Sequence, residues 1–186
     1  MGNERTTYVL VDGENIDATL GTSILQRRPN PSERPRWERL LQHVRDAWDQ
    51  PVVGLFFLAA SDGEFPKPFV QALTAIGYRP IPLSGAPDQK VVDIAIQRTL
   101  GALRSRDADV VLTSHDRDFV ADLEPLIDGR RVGLVGFEEF MSASLRELLE
   151  RGVQFFDLES HVRAFNERLP RVRIIPIDEF NPDDFL

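Results

Sequence analysis

The chain has no cysteine among its 186 residues. That removes disulfides and thiolate metal sites from consideration. It also lacks any long hydrophobic run. The longest apolar stretch, Val52 to Ala60, is far shorter than the roughly 20 residues that span a bilayer. Met1 to Thr7 are polar and carry no signal-peptide pattern, so a cytoplasmic location is the expectation. Positive charge is scarce: 22 Lys and Arg stand against 30 Asp and Glu, for a formal net charge of −8. This argues against bulk electrostatic binding to nucleic acid, though not against a local basic face. No Gly-x-Gly-x-x-Gly follows the first strand-like segment and no Walker phosphate loop is present, which leaves a dinucleotide site unsupported. There is no internal repeat and no low-complexity tract.

What is present is an ordinary globular composition on a chain long enough for one domain with a real core. Short apolar runs predict buried strands at Tyr8–Val11, Val52–Ala59, Tyr78–Leu83, Val110–Thr113, Val132–Val135 and Val153–Phe156. Between them lie stripes of helical period. Trp37, Leu40, Leu41, Val44 and Trp48 form one; Phe69, Leu73 and Ile76 a second; Val92, Ile96, Thr99 and Leu103 a third. Leu145, Leu148 and Leu149 belong to a later helix. Strands alternating with helices predict an α/β fold: a mostly parallel sheet with helices on both faces. Gln26–Pro35 holds three prolines in ten residues and reads as a loop after a short helix, with Arg27, Arg28, Arg34, Arg36 and Arg39 crowding this region. Residues 170–186 contain Pro170, Pro176 and Pro182 and no helical stripe. They read as an extended, partly apolar tail that packs on the domain or on a partner.

The chemistry is concentrated in acids at strand ends. Asp12 closes the first strand in Val-Leu-Val-Asp-Gly-Glu-Asn. Asp116 and Asp118 follow the fourth in Ser-His-Asp-Arg-Asp-Phe. In a doubly wound sheet, ligands bind beyond the carboxyl ends of the strands, where the strand order reverses. With order 3-2-1-4-5, strands one and four are neighbours and these acids meet at one edge. Asp93 sits near the start of a helix expected over about Gln89–Leu103, with Lys90 three residues earlier on the same face. Like charges held close need a cation or a proton to coexist, and Mg²⁺ prefers carboxylate and water ligands. Gly13 is expected to allow a tight turn after Asp12, and Asn15 to hydrogen-bond a carboxylate, a metal-bound water or a phosphate.

Taken singly, each residue has a plainer reading. Asp12-Gly13 is a common turn pair, Asp93 a first-turn acid favoured by the helix dipole, and Lys90 a solvated side chain. Ser114 and Asp116 read as helix caps, and His115 as a solvent-exposed loop residue. Asp62, after the second strand, is a peripheral acid. It is the placement of all of them on one edge that favours a shared site.

The motifs Asp12-Gly13-Glu14-Asn15, Lys90-x-x-Asp93 and Ser114-His115-Asp116-Arg117-Asp118-Phe119, in this order and over about Tyr8–Phe156, resemble those of the NYN domain, a branch of the PIN-like nuclease superfamily. The resemblance implies a Rossmann-like three-layer fold over residues 1–169, followed by the tail, and a metal-dependent ribonuclease. Carried over residue by residue, it makes Asp12, Asp93, Asp116 and Asp118 the acidic cluster for Mg²⁺ or Mn²⁺, with Asn15 and Ser114 as supporting polar residues. Lys90, Arg27 and Arg28 would hold the backbone of RNA that is single-stranded or has accessible loops. A non-catalytic RNA-binding or regulatory module on the same fold is the alternative. A phosphoryl-transfer enzyme lacks support, since no Asp-x-Asp follows the first strand and no paired acids precede it. A homodimer would enlarge the surface for gripping RNA.

Overall fold

The computed structural model describes residues 5–60, 63–172 and 174–186. Asp62 lies outside them. Six strands, β1 (Thr6–Asp12), β2 (Val52–Ala59), β3 (Tyr78–Leu83), β4 (Ala108–Thr113), β5 (Val132–Gly136) and β6 (Gln154–Asp157), form one sheet in the order β3-β2-β1-β4-β5-β6. Every pairing is parallel. The strands coincide with the apolar runs: β2 and β3 match residue for residue, β1, β4 and β5 are longer by one to three residues, and β6 is shifted by one. Both faces of the sheet are buried, as continuous rather than alternating hydrophobicity requires.

Along β1, Val9 and Val11 face one helical layer and Leu10 the other. The first layer holds α1 (Gly13–Ala18), α2 (Trp37–Trp48) and α3 (Lys67–Ala75). The second holds α4 (Val91–Leu103), α5 (Val120–Leu123) and α6 (Ala143–Glu150). This is the three-layer α/β arrangement expected. All five residues of the α2 stripe are buried. On α4, Val92, Ile96 and Leu103 are buried as expected, while Thr99 is half-buried and donates its hydroxyl to Ala95 O at 2.8 Å. The chain leaves α1 through a π-helical segment, Thr19–Leu25, and then runs through the proline loop, which contains a 3₁₀ turn at Pro31–Glu33.

One detail corrects the reading of the sequence. Gly13 shows no left-handed φ. It is the first residue of α1, and a Cβ there would stand 2.5 Å from the Phe56 ring. The glycine therefore serves close approach of the helix to the aromatic cluster of Phe56, Trp37, Phe69 and Tyr78. The tail packs on the domain at its base and again near its end, where the Arg168 guanidinium lies 4.0 Å over the Phe185 ring. Arg171 pairs with Glu139 and with Glu159 (3.1 Å), and its guanidinium lies 5.3 Å above the Phe137 ring. Beyond it, Val172, Ile174, Ile177 and Leu186 are exposed, and Phe180 and Phe185 lean on each other. These apolar residues do not pack into the core.

The edge strand β3 carries Pro80 and Pro82. Leu83 accepts from Ala60 N–H at 2.7 Å on the β2 side, so Arg79, Ile81 and Leu83 turn their backbone groups to β2 while the two prolines face outward.

At the amino end of the central strands, Asp109 is 1% exposed and fully answered. It accepts from Arg5 Nη1 (3.2 Å), Gln50 Nε2 (2.7 Å) and Arg131 N–H (2.9 Å). Removing it leaves the Gln50 amide and the Arg131 N–H without their acceptor, while the half-exposed Arg5 keeps Asp107 at 2.7 Å. Asp109→Ala is expected to lower stability by about 3 kcal/mol in urea unfolding, with the chemistry at the opposite end of the sheet unaffected.

Candidate active site

β1 and β4 are paired with Val11 opposite Thr113, and the sheet order reverses between them. Asp12 at the end of β1 therefore stands beside the loop Ser114–Asp116 at the end of β4. The N-terminus of α4 adds Asp93 from the other layer. The result is a cleft of about 290 Å³ whose lining includes Asp12, Glu14, Asn15, Gln89, Lys90, Asp93 and Asp116. It occupies the position where a doubly wound sheet binds ligands.

Asp12 is the most constrained of these residues. It is 3% exposed. One carboxylate oxygen caps α1, accepting from Asn15 N–H at 3.2 Å; the other accepts from Ser114 Oγ–H at 3.0 Å. Ser114 Oγ in turn accepts from Asp116 N–H at 3.1 Å, so the serine couples the two acids. Burial pushes the Asp12 carboxyl up to about 6; the Asn15 and Ser114 hydrogen bonds oppose this, and the charges of Asp93 and Glu14 add to it. The buried acid Asp157 has a different environment. It accepts from the backbone N–H groups of Glu138, Glu159 and Ser160 and from the Ser160 hydroxyl, which makes it a loop organiser.

Asp93 is also raised, first by burial and then by Asp116. Lys90 counters this, its Nζ standing 3.7 Å away. Lys90 is the residue that precedes α4 rather than part of the helix, because α4 starts at Val91, two residues later than expected. Asp116 accepts from Asp118 N–H at 2.9 Å and so also caps the 3₁₀ turn Arg117–Phe119.

The structure brings Asp12, Asn15, Lys90, Asp93 and Asp116 to one cleft, with Ser114 buried beneath it. Asp118 is exposed and does not line it. Arg27 and Arg28 line a separate recess with Asp17 and Gly21, and Arg27 is engaged by Glu33 at 2.8 Å. Three residues went unrecognised in the sequence. Glu14 enters the cleft while accepting from Ala59 N–H (3.3 Å), and Gln89 joins from the loop before α4. Glu14 lay inside the first motif, two residues after Asp12, which was the available signal. His115 is half-buried rather than solvent-exposed, and its pKa is lowered to about 4, chiefly by burial.

The donor set is all oxygen, suited to a hard divalent cation, and the buried carboxylate of Asp12 has only neutral hydrogen-bond donors. Among the described residues no three His, Asp or Glu side chains stand in closed ligating geometry. What fits is the ligand chemistry: carboxylates of Asp12, Asp93 and Asp116 on one cleft are the kind of group that Mg²⁺ takes alongside its retained waters.

An acid-lined crevice at the switch point of a six-stranded parallel sheet is the architecture of a PIN-like α/β domain. The model of the NYN domain family matches residues 6–158, and the chain belongs to that family, whose members are in general nucleases. Among solved structures, the crystal structure of a protein of unknown function from Vibrio parahaemolyticus is similar, with a TM-score of 0.63 at 17% identity over 85% of this chain and 95% of that one. That likeness concerns the fold. No curated protein matches the chain. Among the described residues no helix is long and apolar enough to cross a membrane.

The raised Asp12 pKa carries a stability consequence. The folded state holds the proton more tightly than the unfolded state, whose value is near 3.8. The stabilising contribution of Asp12 is thus complete below about pH 4 and is lost as the pH rises through about 6. At neutral pH without divalent ions the carboxylate is a liability. Asp12→Asn is expected to raise stability at pH 7.5 in EDTA by about 1–3 kcal/mol in urea unfolding, and the gain should vanish near pH 4.

Proposed function

We propose that this chain is a metal-dependent ribonuclease that hydrolyses phosphodiester bonds of single-stranded or looped RNA. The observation that carries the reading is Asp12: a buried carboxylate with no cationic partner among the described residues, facing the same cleft as Asp93 and Asp116. Such an arrangement is costly without a ligand that brings positive charge. Family membership supports nuclease chemistry at this position.

Asp12 and Asp116 are the direct ligands in this reading, and Asp93 binds directly or through a water. Asp118, exposed beyond the cleft, orients the Asp116 loop through its backbone N–H rather than ligating. A bound Mg²⁺ or Mn²⁺ would supply an acidified water and charge neutralisation at the phosphate. Ser114 holds the Asp12 carboxylate in one rotamer by donating to one of its oxygens. Lys90, at the rim and exposed, exchanges its weak contact with Asp93 for an RNA phosphate. Asn15 reaches the same phosphate from the opposite wall. Arg28, exposed on the neighbouring recess, extends the basic path, whereas Arg27 must first leave Glu33.

The test is cleavage of a fluorescent single-stranded RNA in Mn²⁺. Asp12→Asn and Asp116→Asn should each lower the rate at least about a hundredfold, while circular dichroism shows the fold retained. Undiminished cleavage by either variant sinks the assignment. RNA binding at full affinity in EDTA, with no cleavage by the wild-type chain in any divalent metal, would instead identify a binding module.

A further inference from the structure

We infer that His115 is a positioning residue: it fixes the Asn15 carboxamide so that both amide N–H groups face the cleft, where they donate to a non-bridging phosphate oxygen of RNA. The inference rests on the ribonuclease reading for its ligand, and on the hydrogen bonds of this structure for its geometry.

The orientation of an asparagine amide is decided by its partners. Here one partner is unambiguous. The backbone N–H of His115 can only donate, and it stands 2.8 Å from Asn15 Oδ1. The oxygen end is therefore the end turned toward His115. The imidazole strengthens the same choice. Phe137 N–H donates to His115 Nε2 at 2.7 Å, so Nε2 is the unprotonated nitrogen and Nδ1 carries the hydrogen. Nδ1 lies 3.2 Å from Asn15 Oδ1 and 3.3 Å from Thr19 Oγ1. The Thr19 hydroxyl spends its own hydrogen on Asn15 O at 3.0 Å, so it too is an acceptor for Nδ1–H. Every hydrogen in this group is assigned: the backbone N–H and Nδ1–H of His115 both turn the Asn15 oxygen toward His115, and Thr19 Oγ1 shares the Nδ1–H.

What remains for the cleft is Asn15 Nδ2. It has no protein acceptor among the described residues and is not a buried unpartnered atom. An amide nitrogen cannot ligate a cation, but it donates two hydrogen bonds. Asn15 is thus excluded from the acidic ligand set and selected for an anionic oxygen held beside it. A carboxamide turned the other way would offer its oxygen to the cation and no donor to the phosphate.

The imidazole is held firmly enough to enforce this. It stacks on Phe137 with centroids 5.8 Å apart and planes 15° apart; Phe137 stacks on Phe165, and Phe140 meets the imidazole edge-on. Gly136 leaves the space it needs, since a Cβ there would lie 2.5 Å from His115 Nε2.

The experiment compares kcat/KM for the single-stranded RNA in Mn²⁺, with Mn²⁺ affinity measured separately by calorimetry. His115→Leu should lower kcat/KM about tenfold with Mn²⁺ affinity unchanged. His115→Asn, which restores a donor near the Nδ1 position, should recover most of the loss. In an Asn15→Ala background, His115→Leu should cost nothing further. An equal tenfold loss in that background, or no rescue by His115→Asn, overturns the inference. If His115→Leu does not fold, Gly136→Ala displaces the imidazole by contact and should show the same loss and the same silence in Asn15→Ala. If the wild-type chain cleaves no RNA, the ribonuclease reading fails and the positioning role is judged by ¹⁵N NMR. The Asn15 side-chain amide pair, assigned by its disappearance in Asn15→Ala, should shift in His115→Leu and return toward its wild-type position in His115→Asn. A pair at one position in all three overturns the role.

Discussion

The register of β1 against β4 is the constraint from which the site follows. With Val11 opposite Thr113, Asp12 stands level with Ser114, and the serine hydroxyl spans the two strands to meet its carboxylate. A slip of one residue would reverse every side chain of β1. Val9 and Val11 would then face α4–α6, and Leu10 the layer of α1–α3; both layers are closely filled. The register is also pinned at the amino end. Asp109 of β4 draws together Arg5, Gln50 and the backbone of Arg131. One strand pair thus carries a neutralised acid at one end and an unneutralised acid at the other. The hydrophobic layers and the Asp109 network together hold in place a carboxylate that by itself disfavours folding at neutral pH.

Much of this was legible in the sequence, and the physical reason is period. Strands buried on both faces read as unbroken apolar runs, and amphipathic helices as stripes such as Trp37–Trp48; local composition is enough to find both. Asp12 and Asp116 were legible because each ends such a run, and a parallel sheet places its strand ends together. What the sequence did not reveal depends on contacts between distant segments. The role of His115 depends on Phe137 N–H, Thr19 and Asn15, none of which is its neighbour in sequence. Gly13 looked like a turn glycine because nothing local announces Phe56 beneath it. Glu14 was given no role of its own within its motif, although its contact with Ala59 carries it into the cleft. In the tail, apolar composition suggested packing: Phe185 lies under Arg168 of the domain, while Val172, Ile174 and Ile177 face solvent.

The polar residues of the cleft divide the labour by what their atoms can do. Carboxylates accept and attract charge, the Ser114 hydroxyl both accepts and donates, and the carboxamide of Asn15 has one end committed to the protein. The aromatic stack behind His115 reaches from the end of β5 to the loop after β6 and ends under Arg171. The base of the tail and the floor of the cleft are therefore parts of one packed unit, so a disturbance at Arg171 has a short path to Asn15.

The outward-facing prolines of β3 have a consequence for assembly. A sheet grows by strand addition only where an edge offers both N–H and C=O groups, and Pro80 and Pro82 withhold the N–H groups along theirs. Tyr78 keeps the outward N–H at the start of the strand, so the prolines weaken pairing along most of this edge and disfavour head-to-tail stacking through it. The fold thereby guards this edge of a long parallel sheet chiefly by two prolines, with Arg79 the one charged residue of the strand.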